Sequence, residues 1–179
     1  ESEFFGHTSG AFTDAKQARA GVVAQAQGGT LFLDEVDSLS ARSQVSLLRF
    51  LQDYEYRPVG GSASKSANVR VVPATNADLE QLVAAGSYRR DLLYRLNVLS
   101  VHLPALRERG DDVRLLAEAF LRRLSVRHGT TARTLHPDAL AFLRAYAWPG
   151  NVRELENLIQ REFLLSDDDQ IRIAPAGAA

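Results

Sequence analysis

One stretch constrains this chain more than any other: Gly28-Gly29-Thr30-Leu31-Phe32-Leu33, followed at once by the carboxylates Asp34 and Glu35. An apolar run this short suits a strand buried on both faces, as in a parallel sheet flanked by helices. In such sheets ligands gather beyond the carboxyl ends of the strands. Asp34 and Glu35 stand at that end. There an aspartate can hold a magnesium ion through water, and a glutamate can orient a water toward a nucleoside triphosphate.

The rest of the chain sets the frame for that strand. With 179 residues and 45% hydrophobic content, it can bury one substantial core, or one core and a smaller satellite. A net charge of -1 excludes a global basic field of the kind that holds nucleic acid. No cysteine is present, which excludes disulfides and thiolate metal sites and suits a reducing cytoplasm. No apolar stretch approaches the roughly 20 residues that span a bilayer. The chain opens at Glu1 and contains no methionine, so the expectation is a fragment of a longer protein.

Glycines and small polar residues dominate residues 2–15, with Phe4, Phe5 and Phe12 interspersed, which reads as a loop or a loop-tipped hairpin. Val45, Leu48 and Leu51 recur at helical spacing, and the glycines and serines of residues 60–64 make a flexible break. Residues 69–74 form a second expected strand, closed by Thr75-Asn76, and Asp78 caps an expected helix over 79–85 that Gly86 ends. A short helix near 88–96 and a strand over 98–103 follow. Beyond Pro104 only helices are expected. Val113, Leu116, Ala117, Phe120, Leu121 and Leu124 form an amphipathic stripe, and Pro137 suits the first turn of a second helix. Asn151 and Glu154 have capping-box spacing at the start of a third, whose inward members are Val152, Leu155, Leu158 and Ile159. Ser166 and the three aspartates after it read as a solvated turn. The four histidines show no ligand spacing. The fold class expected is α/β, a parallel-sheet part over residues 1–108, followed by a small all-α part over 109–179.

Seven stretches now stand in one order: GAFTDA (10–15), GGTLFLDEV (28–36), LLRFLQ (47–52), VRVVPATNADL (69–79), YRRDLLYRLNV (88–98), LPALRERGDDV (103–113) and WPGNVRELENLI (148–159). In this order and spacing the chain resembles the central AAA+ domain of bacterial enhancer-binding proteins, the activators of sigma-54 RNA polymerase. The resemblance covers essentially the whole chain. It implies a P-loop AAA+ sheet domain with a helical lid, ATP and Mg2+ as ligands, and a homo-oligomeric ring, hexamer or heptamer, that remodels sigma-54 polymerase. Two departures stand out. The family's phosphate-binding loop, ending in Gly-Lys-Ser/Thr or Gly-Lys-Glu, belongs upstream of Glu1, and its family loop signature GAFTGA here carries Asp14 in place of the second glycine.

The resemblance also implies roles, each of which competes with an ordinary structural one. Asp34 and Glu35 match the Walker B pair, against two solvated acids closing a strand. Thr75 and Asn76 match sensor I, against simple turn chemistry. Arg89 and Arg95 match two arginine fingers acting on a neighbouring subunit's nucleotide, against a charged helix face. Arg153 matches sensor II, against a surface arginine paired with Glu154 or Glu156. Gly10, Ala11, Phe12, Thr13 and Asp14 match the loop that touches sigma-54, against Phe12 folding into the core. The carboxylate of Asp14 near promoter phosphates is expected to weaken or alter that contact. Residues 60–66 correspond to the family's second surface loop, against a plain connector. DNA recognition would need a segment outside this chain, since too few residues follow Leu165 for a helix-turn-helix. Two functions stand at this point: an ATPase module of a transcription activator, inactive without its phosphate loop, and a nucleotide-independent docking domain of the same fold.

Overall fold

A computed structural model describes residues 1–11, 15 and 17–173 of the chain. In chain order the elements are α1 (Ser2–Phe5), β1 (Gly6–His7), β2 (Arg19–Ala20), α2 (Val22–Gln25), β3 (Thr30–Leu33), a 3-10 turn (Val36–Ser38), α3 (Ala41–Asp53), β4 (Glu55–Tyr56), β5 (Lys65–Ser66), β6 (Arg70–Pro73), α4 (Leu79–Ala84) and α5 (Arg90–Leu96). After them come a 3-10 turn (Leu106–Glu108), α6 (Asp112–His128), β7 (Thr134–Leu135), α7 (Pro137–Ala145), α8 (Asn151–Leu165) and β8 (Gln170–Ile171). They form two compact units, Glu1–Ser100 and Val101–Ala179.

The centre of the first unit is the parallel pair β3–β6, with Thr30 opposite Arg70 and Leu33 opposite Pro73. Parallel neighbours need a long crossover, which α3 and the β4–β5 hairpin provide. Gly28, two residues before the strand, adopts φ +76, and its N–H donates to the carbonyl of Asn68 at 2.7 Å. Leu31 is buried, yet Phe32 is 60% exposed, so β3 alternates instead of being covered on both faces. The apolar content of the run therefore overstated its burial: one face packs on the core, and nothing among the described residues covers the other. Under the packed face lie Val23, Leu47, Phe50, Leu51, Val69, Tyr88, Leu92 and Leu93. Phe4 and Phe5 pack against this cluster, with the Phe4 and Phe50 rings edge to face at 6.0 Å.

Most local expectations hold here. Asp78 caps α4, its carboxylate accepting the N–H groups of Glu80 and Gln81 at 2.9 and 3.2 Å. The strand expected over 98–103 does not form. Val98, Leu99, Val101 and Leu103 are between 76% and 92% exposed, and no ladder pairs them among the described residues. A strand needs a neighbour to take up its N–H and C=O groups, and alternation alone cannot supply one.

The second unit packs α6, α7 and α8 around Trp148, Leu121, Leu143, Leu155 and Ile159, all nearly or fully buried. The expected stripe on α6 is the inner face, with Val113, Ala117, Leu121 and Leu124 buried and Leu116 and Phe120 packed at its edge. Helices are not its only elements: β7 and β8 pair in parallel and bury Leu135 and Ile171. Arg133 closes the end of α8, donating to the Phe163 carbonyl at 2.7 Å and lying 4.5 Å over the Phe163 ring.

The start of α8 differs from the expected capping box. Gly150 is the cap, and its N–H donates to Glu154 Oε2 at 2.8 Å. Asn151, at φ 50, instead turns its side-chain oxygen to the N–H of Leu106 at 2.9 Å. The glutamate half of the box is kept one residue earlier, because the asparagine is spent on a longer-range bond.

Candidate functional site

The site is built on the carboxyl ends of β3 and β6. Past the last register pair, Leu33 and Pro73, the two chains stay joined: Ala74 N–H donates to Leu33 at 2.7 Å and Val36 N–H to Ala74 at 3.1 Å. Asp34 and Glu35 on one strand end, and Thr75 and Asn76 on the other, are therefore brought to the same edge of one parallel pair. All four are exposed. Glu35 adopts left-handed backbone, φ 52 and ψ 45, a conformation uncommon outside glycine. Two features hold it there. Asp34 Oδ1 accepts the Glu35 N–H at 3.0 Å, and the Glu35 carbonyl accepts both the N–H and the hydroxyl of Ser38. Its own carboxylate has no partner among the described residues. Such strain collects where a side chain must be aimed.

Thr75 and Asn76 divide their work. The Thr75 hydroxyl donates to Asp37 and accepts the N–H of Ala77, which ties the turn after β3 to the end of β6. The Asn76 amide bonds to nothing among the described residues. Of the pair, it alone is free for a ligand.

The two candidate fingers have different surroundings. Arg89, the residue before α5, forks onto Asp91 at 3.0 and 2.6 Å, and both side chains are about half exposed. That pairing holds the Asp91 carboxyl below its usual range and raises the Arg89 guanidinium. Arg95, though exposed, lies against the carboxyl end of α3 and donates to the carbonyls of Leu51 and Gln52 at 3.0 and 3.2 Å.

Two residues escaped the sequence reading. Gln44 is 2% exposed and bonded on both ends of its amide. It stands one turn before Leu47 on the buried face of α3, and a polar residue in an apolar stripe was the available signal. Tyr88 is buried, its hydroxyl without a partner among the described residues, and burial with the nearby Asp37 charge pushes it up to about 12.

Arg153 belongs to the second unit, in the first turn of α8, where it is exposed. Neither neighbouring glutamate pairs with it. Glu154 serves Gly150 and the Tyr146 hydroxyl, and Glu156 pairs with Arg123. Of the surface-loop residues, Phe12, Thr13 and Asp14 lie outside the described residues. Gly10 and Ala11 are described: Gly10 N–H donates to Ala15 at 2.7 Å, and Gly60 lies against Ala11 and Thr8. Thr8 N–H donates to the carbonyl of Val59 at 3.0 Å, so the base of this loop is stitched to the base of the loop at 60–66.

Acids and an amide stand at one end of a parallel pair and a separate helical unit follows, and the matches to known families make these the sheet part and the lid of an AAA+ fold. Residues 1–102 match the sigma-54 interaction domain and residues 107–175 the AAA+ ATPase lid domain. The chain belongs to the sigma-54 interaction domain family. It is 48% identical over 179 residues to the alginate biosynthesis transcriptional regulatory protein AlgB of Pseudomonas syringae pv. tomato, covering 40% of that protein. It is 49% identical over 172 residues to the response regulator protein PilR of Pseudomonas aeruginosa, covering 96% of this chain and 39% of PilR. Among solved structures, NtrX from Brucella abortus in complex with ADP superposes with a TM-score of 0.86 at 35% identity, over 99% of this chain and 40% of NtrX. NtrX in complex with ATP gives the same TM-score over 98% of this chain and 41% of NtrX. The chain thus spans about two fifths of the length of these relatives.

Proposed function

We propose that this chain is the ATP-cleaving AAA+ module of a sigma-54-dependent transcription activator. In that role it works as a ring in the cytoplasm and remodels sigma-54 RNA polymerase, while DNA is read by another part of the protein. The observation that carries the proposal is the convergence of Asp34, Glu35 and Asn76 on one strand edge in a chain of this family.

In this reading Asp34 holds a hydrated magnesium ion. Its Oδ1 is occupied by the Glu35 N–H, and a single carboxylate suits a cation that keeps most of its waters. Magnesium, when bound, supplies charge neutralisation on the phosphates. Glu35 orients the attacking water, and Asn76 senses the terminal phosphate. Arg89 and Arg95 approach the neighbouring protomer's nucleotide, Arg95 after release from the end of α3. Arg153 reports nucleotide state from the lid. Gly10, Ala11, Phe12, Thr13 and Asp14 engage sigma-54.

No Gly-Lys pair occurs in the 179 residues, since Lys16 follows Ala15 and Lys65 follows Ser64. The phosphate cradle is therefore assigned to a segment outside this sequence. In the full natural length, Glu35→Gln is expected to lower magnesium-dependent turnover at least about a hundred-fold while ATP still binds. Unchanged turnover would sink the assignment. The 179-residue chain by itself is expected to hydrolyse no ATP, and measurable turnover there would overturn the division of labour. The docking-domain reading is favoured by Asp14 and by the missing Gly-Lys pair. Sigma-54 capture that needs no nucleotide in the full natural length would support it.

A further inference from the structure

Between the acidic turn and the segment that presents Arg89 stands one buried side chain. The amide nitrogen of Gln44 donates to the carbonyls of Leu39 and Ser87 at 3.0 and 3.1 Å, and its oxygen accepts the N–H of Arg89 at 2.9 Å. The orientation of the amide is fixed by its partners, because carbonyls only accept and the backbone N–H only donates. Leu39 directly follows the 3-10 turn that Glu35 precedes, and Ser87 and Arg89 flank the last bend before α5. Tyr88 between them is buried in the same core as Leu47 of α3. Among the described residues no other hydrogen bond joins this bend to α3. Removing the amide would take the side-chain partner from two carbonyls and one N–H at partly buried positions, and so loosen the backbone they hold.

We propose that Gln44 is a positioning residue: it fixes the backbone of Arg89 relative to the turn carrying Glu35, so that one protomer's acidic turn and the arginine it offers its neighbour move together. This rests on the roles given above to Glu35 and Arg89. The two charged groups then answer to one rigid connection. A change in the turn as its own nucleotide is cleaved shifts the arginine aimed at the next site. Gln44 touches no reacting atom and acts only through the backbone it holds.

The experiment uses the full natural length. Gln44→Glu keeps the acceptor for Arg89 but sets a carboxylate against two carbonyls, whereas Gln44→Met keeps the length and removes all three bonds. Each is expected to lower kcat about a hundred-fold with KM for ATP unchanged, the size expected for a small misplacement of a catalytic group. Arg89→Ala combined with either variant should be no slower than Arg89→Ala alone. The decisive arm mixes protomers. A Gln44 variant keeps a sound Glu35 but offers a misplaced arginine, whereas Glu35→Gln has a dead site but offers a sound one. Both homogeneous rings are nearly inactive, and an equal mixture should recover about one quarter of the wild-type rate, the share of sites with both parts intact.

No recovery on mixing, or a double variant slower by the product of the two effects, would overturn the proposal. So would loss of folding in both Gln44 variants, which would make the residue purely structural. A Glu35→Gln ring as active as wild type would instead bring down the functional reading beneath it, a result the mixing arm keeps distinct.

Discussion

The hydroxyl of Thr75, just past β6, donates to the carboxylate of Asp37, just past β3, so a side-chain bond links the two strand ends beyond their shared ladder. Asn76, the next residue, makes no such bond among the described residues. Adjacent positions should therefore fail in opposite ways. Thr75→Val removes one charge-assisted bond at an exposed site and is expected to cost about 1 kcal/mol, read as a lowered urea midpoint. Asn76→Ala should leave that midpoint unmoved within about 0.5 kcal/mol and lower ATP turnover in the full natural length. Equal stability loss in both would contradict the division of work between them.

Arg89 and Arg95 separate by the same measurement. Arg95 donates to two carbonyls at the end of α3, groups the helix cannot satisfy itself, and Arg95→Ala is expected to cost about 1–2 kcal/mol. Arg89 pairs with Asp91 in solvent, and Arg89→Ala should leave the melting temperature of the 179-residue chain nearly unchanged. A clear drop for Arg89→Ala would show that the Asp91 pair holds up the fold.

Tyr88 predicts an alkaline limit. Its hydroxyl, pushed up to about 12 chiefly by burial and then by Asp37, keeps its proton in the fold after the unfolded chain has lost it. The unfolded form therefore binds fewer protons between pH 10 and 12, and the contribution of this group, complete below pH 10, is lost as pH rises through that window. Tyr88→Phe should abolish that component of the loss. At neutral pH it should also be neutral or slightly stabilising, since the hydroxyl is buried without a partner among the described residues. Denaturant titrations of both proteins from pH 8 to about 11.5 test both statements. Parallel loss in wild type and Tyr88→Phe would assign the alkaline limit to another group.

These contrasts also show where local sequence stops being informative. β3, β6 and α6 were legible because their patterns are carried by neighbours in sequence: an apolar run closed by polar turns, or a stripe at helical spacing. The convergence of Asp34 and Asn76 followed from the rule for strand ends once both strands were recognised. Residues 98–103 were misread for the converse reason, since their apolar alternation says nothing about a partner. Gln44 and Asn151 were hidden because their partners lie 43 and 45 residues away, at Ser87 and at Leu106. Asp34 and Glu35 read the same in any strand ending with two acids. The left-handed turn at Glu35 and the strand end of Asn76 beside it distinguish this one.

Gly60 provides the last test, at the junction of the two surface loops. Its φ of +78 lies where a side chain is strained, and a Cβ there would stand 2.7 Å from the Ala11 Cβ and 2.8 Å from the Thr8 hydroxyl. Neither neighbour yields easily. Thr8 is bonded through its N–H and its hydroxyl to the Val59 carbonyl, and Val59 in turn donates to Gly6. Gly60→Ala therefore combines left-handed strain of about 1–2 kcal/mol with a clash that parts the two loop bases. The expected outcome is a lowered melting temperature and faster protease cleavage within residues 8–18, while Gly86→Ala serves as the control. Gly86 shares the positive φ, +74, but has open space around its Cβ position. If the two substitutions cost the same and cleavage is unchanged, backbone strain alone accounts for Gly60, and the packing of one loop base on the other contributes nothing.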